Sequence, residues 1–292
     1  MIWENNGILM EKVGNLCYFS VYCTGNLKRY CLNQKPTFNE SWTITWVGEY
    51  CHAGILDCTV WIMEDLISHG FLHQLLNMQY PDYTLRIVGH SFGAGCAVLL
   101  SKMLRKQYPT LRCLSYSPPG GFCTYRSATE CKDFVTSYIL DSDLVPRLSI
   151  ENMENLRDEI LTIIGQINVP KMSVLRSIFS RENTWESMLH NPNEDSEYSH
   201  QLSLFKGIQQ NRKSQRNKVN VSLYPPGRIV HLIKPTDQGT PCYIPIWSEN
   251  DSFHEIVVSP TMGTDHFPNK VCQELEKVAR SFGLSINLGS TF

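Results

Sequence analysis

The sequence has no long apolar run. No stretch reaches the roughly 18 uninterrupted apolar residues of a membrane span; the longest apolar neighbourhood, residues 87–104, is broken by His90, Ser91 and Lys102. The start, MIWENNGILMEK, lacks a basic segment followed by an apolar one, so no secretory signal is expected. Neither sign of charge dominates: 26 Lys and Arg against 28 Asp and Glu leave a net charge of −2, which removes the electrostatic case for a nucleic-acid partner. Glycine-rich phosphate loops, metal-ligand spacings, EF-hand loops and internal repeats are missing as well. The 11 cysteines are odd in number, scattered from Cys17 to Cys272, and form no C-x-x-C pair. They read as reduced thiols of a cytosolic chain, many of them small core residues, and not as a disulfide framework or metal site.

What is present is apolar material for a large core: 42% of 292 residues, a length that suits one large α/β domain or two small ones. Residues 1–51 show short β-like pieces (16–23 and 42–47) without clear periodicity. Residues 55–76 carry Ile55, Val60, Ile62, Met63, Leu66 and Ile67 at helical spacing, ended by Tyr80-Pro81-Asp82. A strand over 84–88 leads into GHSFGAG, followed by a helix over 94–107 that stops before Pro109. Further strands are expected at 111–115, 134–140, 228–233, 242–247 and 255–259, and further helices at 150–164 and 268–282. The last helix has proline in its first turn and Gly283 past its end. Strands alternating with helices imply a mainly parallel sheet with helices on both faces. Residues 166–220 are polar, acidic then basic, with a few large apolar residues such as Phe179 and Trp185; the segment reads as a mobile insertion, a candidate cover over the site.

Gly89-His90-Ser91-Phe92-Gly93 is G-x-S-x-G between a strand and a helix. A nucleophilic serine has to sit on a strained turn that lifts its Oγ out of the sheet, and flanking glycines let the chain fold there. This points to an α/β-hydrolase fold with Ser91 as nucleophile and the Phe92 amide as an oxyanion donor. The base and its orienting acid are expected in the chain order Ser, Asp or Glu, His, on loops after strands. Asp143 and His266 fit that order, with Asp141 as the rival acid and His231 and His254 as rival histidines.

Residues 52 to about 283 resemble the class 3 lipases, and among them the sn-1-specific diacylglycerol lipases, closer to the beta type. The matching segments are HAG (52–54), IVGHSFGAG (87–95), QYPTLRCLSYSPPGG (107–121), FVTSYILDSDLVPRLSIENMENL (134–156), LYPPGRIVHL (223–232) and DHFP (265–268). The resemblance implies Asp143, in DLVPR, as the acid and His266, in DHFP, as the base. It implies hydrolysis of diacylglycerol to a monoacylglycerol such as 2-arachidonoylglycerol, on the cytoplasmic side of a membrane. No cofactor is required for that chemistry, and calcium enters only by resemblance. Two departures stand out. The family's membrane-spanning helices are not in this sequence, and neither is its Arg-Gly-Thr turn, which supplies the second oxyanion donor. Residues 1–51 thus read as a divergent segment ahead of a catalytic domain at 52–292, in a truncated or alternatively assembled product. Gly25, in Cys23-Thr24-Gly25, is the candidate replacement donor. Loss of one such donor costs on the order of 100- to 1,000-fold in turnover, so the alternative is an impaired lipase-fold fragment acting by binding lipid or partners.

Overall fold

The computed structural model describes residues 3–5, 8–13, 16–21, 44–46, 49–170, 172–174, 176, 188–189, 196–216, 221–235 and 242–284. The chain forms two compact units: Met1–Ile150 with Ser222–Phe292, and Glu151–Val221.

The larger unit is built on an eight-stranded sheet. Its strands, in spatial order, are β1 (Trp3–Asn5), β2 (Ile8–Val13), β3 (Leu16–Val21), β6 (Thr84–His90), β7 (Arg112–Tyr116), β8 (Val135–Leu140), β9 (Arg228–Ile233) and β10 (Ile244–Ser248). The strands from β3 to β9 run parallel, whereas β1, β2 and β10 are added antiparallel at the two edges. β4 (Ile44–Trp46) and β5 (Glu49–Cys51) form a separate antiparallel pair. This is the α/β-hydrolase architecture expected from the sequence.

Side chains alternate across a strand, and each face of this sheet is covered. Helix α1 (Ala53–His69) and helix α2 (Phe92–Leu104) share one core with Leu85, Ile87, Cys113 and Val135. On the other face, Leu140 and Leu232 pack with Val271 and Val278 of the C-terminal helix. α2 is buried without a break from Gly93 to Ser101, because its small residues let neighbours approach: a Cβ on Gly95 would lie 3.0 Å from Ile55. His52 caps α1, its Nδ1 accepting the Ile55 N–H at 3.3 Å. The core also holds Cys51, Cys96, Cys113, Cys123 and Cys131 as buried cysteines outside any disulfide. Cys58, fully buried on α1, is disulfide-bonded, so the reading of all the cysteines as free thiols fails there.

Several expectations are corrected. The helix expected to run to residue 76 ends at His69, where Gly70 takes a left-handed φ of 63°; a short helix at Phe71–His73 and a π-helical turn at Gln74–Gln79 follow. Residues 255–259 are not a strand: their β-branched run suits one, yet the chain passes through a short 3-10 turn (Asn250–Phe253) into an irregular loop. The N-terminal stretch is part of the main sheet, since β3 pairs directly with β6. The remaining helices are α3 (Tyr125–Glu130), α4 (Ile150–Gln166), α5 (Ser196–Arg216) and α6 (Pro268–Ser281), the last with proline at its start and Gly283 beyond it as expected. In the smaller unit, α5 runs for 21 residues that show no apolar periodicity. Its Glu, Gln, Lys, Arg and Leu favour helix through propensity alone.

Three half-buried histidines, His52, His90 and His231, are held below the ordinary value of 6.5, chiefly by burial. In the unfolded chain each takes up its proton near 6.5, so below that pH the unfolded state binds more protons and stability is lost as pH falls. The melting temperature is expected to drop between pH 7.5 and 5.5, and His231→Gln should make that drop shallower. A melting temperature that holds steady or rises on acidification contradicts this account.

Candidate active site

The site begins with the end of β6. Gly89 pairs with Ser115 and His90 with Tyr116 of β7, and the Ser91 N–H continues the ladder by donating to the Tyr116 carbonyl at 2.9 Å. The chain then turns at once into α2. At Gly89 a Cβ would lie 2.2 Å from the Gly93 carbonyl oxygen, so no larger residue fits while the strand and helix meet this closely. Ser91 itself takes φ 57° and ψ −125°, a conformation that costs a non-glycine residue on the order of 1–3 kcal/mol and holds only where the surroundings fix it. Phe92 opens α2, and an amide in the first turn of a helix has no acceptor within that helix and lies at its positive end. It is the position from which an amide can receive an oxyanion formed at Ser91.

Asp143 and His266 come to Ser91 on two loops. His266 Nε2 lies 2.8 Å from Ser91 Oγ, and its Nδ1 lies 3.1 and 3.3 Å from the two Asp143 oxygens. Asp143 follows the end of β8, is fully buried, and also accepts the Val145 N–H at 3.0 Å. A carboxylate can only accept here, so the shared proton sits on Nδ1 and leaves the Nε2 lone pair free to accept from the serine hydroxyl. His266 belongs to a short 3-10 turn, Thr264–His266, directly before α6.

The rival residues are engaged elsewhere. Asp141 has φ 42°; its Oδ1 accepts the Lys234 N–H at 3.2 Å, and its carbonyl oxygen accepts from His231 Nε2 at 2.8 Å. His254 is at the surface, its Nδ1 2.8 Å from the Asp251 carbonyl oxygen. Phe92 is the first residue of α2, directly after Ser91. Gly25 lies outside the described residues; the last described residue before it, Val21 of β3, is in register with Gly89.

The sequence reading gave His90 and Arg147 no role. His90 Nε2–H donates to the His266 carbonyl at 2.8 Å, and the two rings lie 4.7 Å apart. Burial keeps His90 neutral toward lower pH, which preserves one nitrogen as donor to that carbonyl. Arg147, buried below the acid loop, donates to the Asp141 and Glu255 carbonyls and lies over the Phe253 ring. The only signal for either was its place beside a motif. Among the described residues no three His, Cys, Asp or Glu side chains are grouped as a metal ion would need.

A seryl elbow on a parallel sheet, with an imidazole and a carboxylate on loops at its carboxyl edge, defines an α/β-hydrolase of the serine type. Residues 22–153 match the family model described as lipase (class 3). The match begins upstream of His52 and so takes in much of the stretch read as divergent. The chain is 32% identical over 250 residues to a protein named diacylglycerol lipase-alpha from Rattus norvegicus, covering 82% of this chain and 23% of the relative. To the Homo sapiens diacylglycerol lipase-alpha the identity is 32% over 254 residues, with the same coverages. To diacylglycerol lipase-beta from Mus musculus it is 32% over 252 residues, covering 78% of this chain and 37% of the relative. The chain therefore spans well under half the length of these relatives, and equal identity does not separate the alpha type from the beta type.

With Asp143 on the imidazole and Asp141 turned to Lys234, Asp143→Ala should lower the turnover of a small soluble ester by roughly 10,000-fold, as loss of an orienting carboxylate does elsewhere. Asp141→Ala should lower it by less than about tenfold, through the loop alone. Initial rates on p-nitrophenyl butyrate check both, and the reverse ranking would overturn the assignment.

Proposed function

We propose that the protein is a serine lipase that removes one acyl chain from diacylglycerol, leaving a monoacylglycerol and a free fatty acid. The observation that carries this is the unbroken line from Ser91 Oγ through both ring nitrogens of His266 to buried Asp143. Ser91 Oγ attacks the ester carbonyl as His266 Nε2 takes its proton, and Asp143 holds the imidazolium that forms. The Phe92 amide receives the oxyanion, and Gly25, after β3 in the sequence, is the candidate for a second donor. His266 then protonates the leaving glyceride oxygen. A water activated by the same nitrogen attacks the acyl-enzyme, the fatty acid leaves and Ser91 is restored.

The choice of substrate draws on the names of the relatives and on the domain match. Its location follows from physical chemistry. At about 0.8 kcal/mol per buried CH₂, two long acyl chains hold a diacylglycerol in a bilayer, so the enzyme has to meet it at a membrane surface. By the same resemblance that surface faces the cytoplasm. Among the described residues no helix is long and apolar enough to cross a membrane.

Vesicles containing a diacylglycerol with distinguishable chains provide the test. The protein should release fatty acid and monoacylglycerol in equal amounts from the sn-1 side, and Ser91→Ala should release neither. Absence of hydrolysis by the unaltered chain, on vesicles and on soluble esters alike, would favour an impaired fragment that acts by binding.

A further inference from the structure

The residue before His266 and the residue before Asp143 are bonded to each other. Asp265 is fully buried, and its Oδ2 accepts from Ser142 Oγ at 3.0 Å and from Thr261 Oγ1 at 2.8 Å. Its Oδ1 meets the Lys270 ammonium, at 2.5 Å, from the first turn of α6. Ser142 Oγ also lies 2.6 Å from Ser259 Oγ and 3.2 Å from Thr261 Oγ1. The backbone adds a parallel link: the Leu144 N–H donates to the Met262 carbonyl at 3.1 Å, and the Asp265 N–H donates to the Thr261 carbonyl at 2.8 Å. The acid loop and the histidine loop are thus tied through Ser142 and Asp265, each one residue before the Asp143–His266 contact in its own loop, and through the Leu144–Met262 backbone bond.

An ionised carboxylate is strongly disfavoured in a protein interior unless it is paired and hydrogen-bonded. Asp265 meets both conditions, with a cation on one oxygen and two hydroxyls on the other. Such a fully satisfied set is directional: the hydroxyls and the ammonium have to converge on one point, which an apolar filling of the same space would not require. The neighbouring contact needs that precision. One imidazole has to reach Asp143 through Nδ1 and Ser91 through Nε2 together, and a shift of about 1 Å in such an arrangement costs on the order of 100-fold in rate.

We propose that Asp265 is a positioning residue that, through Ser142 and Thr261, fixes the separation of the two loops and so holds His266 against Asp143. The inference rests on the triad reading above. Asp265 makes no described hydrogen bond to Ser91 or to the His266 ring, so its effect falls on turnover and not on binding.

The test uses the full chain with p-nitrophenyl butyrate. Asp265→Ala and Ser142→Ala should each lower kcat by about 10- to 100-fold with KM within about twofold, as expected of a misplaced base. Because they break one link, the double variant should be no worse than the worse single, within about twofold. Asp265→Asn keeps an acceptor for both hydroxyls and should recover most of the loss. A kcat within about twofold of the unaltered chain for either alanine variant, a loss confined to KM, or losses that multiply in the double variant would each overturn the proposal. If the alanine variants do not fold, Thr261→Val against Thr261→Ser decides it: Val should lower kcat by about 3- to 10-fold while Ser retains it, and equal kcat overturns the proposal. Ser91→Ala in the same assay keeps the two readings apart, because activity there removes the triad reading whatever Asp265 does.

Discussion

The close approach of β6 to the start of α2 is the constraint on which the rest of the site depends. Gly89 has to pass the Gly93 carbonyl oxygen at a distance no Cβ allows, and this leaves Ser91 as the apex of a turn with positive φ. Strain at that residue persists only where the surrounding structure fixes both partners. β6 lies among parallel neighbours in the sheet, and α2 is buried through most of its length between the sheet and α1. The Gly-Ala-Gly-Cys-Ala run makes that burial possible, since small residues let α2 sit close to Ile55 and Phe122. The same packing that stabilises the fold therefore aims the Ser91 hydroxyl and sets the helix amides behind it.

The proposed partners of the serine, Asp143 and His266, reach it by a different route. Asp143 and His266 lie on loops, and loops acquire precision only from what ties them down. The acid loop turns back on itself through Val145 N–H and Asp143 Oδ1, and the histidine loop is held by His90 through the His266 carbonyl. His90 is a neighbour of Ser91 on the elbow, so the serine and the histidine share one rigid support. The polar cluster around Asp265 joins the two loops to each other. Each loop carries a buried carboxylate, Asp143 facing the imidazole and Asp265 facing two hydroxyls and an ammonium.

Much of this was legible in the sequence where the signal is local. The buried parallel strands β6, β7, β8 and β9 are short apolar runs closed by turn residues, and each was expected within about two residues of its observed ends. The elbow was legible because its glycines are required by sterics at fixed spacing. Other features depend on tertiary context. β1 and β2 lack an alternation strong enough to mark them and exist as a hairpin added to β3. Residues 255–259 carry strand-like composition without a strand partner. α5 has helix formers without an apolar stripe. Asp141 and Asp143 could not be separated by spacing, because both follow the same strand; the left-handed turn at Asp141 is what directs one carboxylate to Lys234 and leaves the other for His266. Asp265 was visible as a letter in DHFP, but its partners, Ser142 and Lys270, are brought to it only by the fold.

The central claim is that Ser91, made nucleophilic by His266, is the reactive centre of this chain. A fluorophosphonate probe followed by peptide mass spectrometry tests it most directly, because the adduct forms only on a serine whose proton has been taken by a base. The account predicts one modified peptide, the one containing GHSFGAG, with the adduct on Ser91, and almost no adduct when His266 is replaced by Ala. An unmodified chain, or an adduct on another serine with Ser91 untouched, would contradict it.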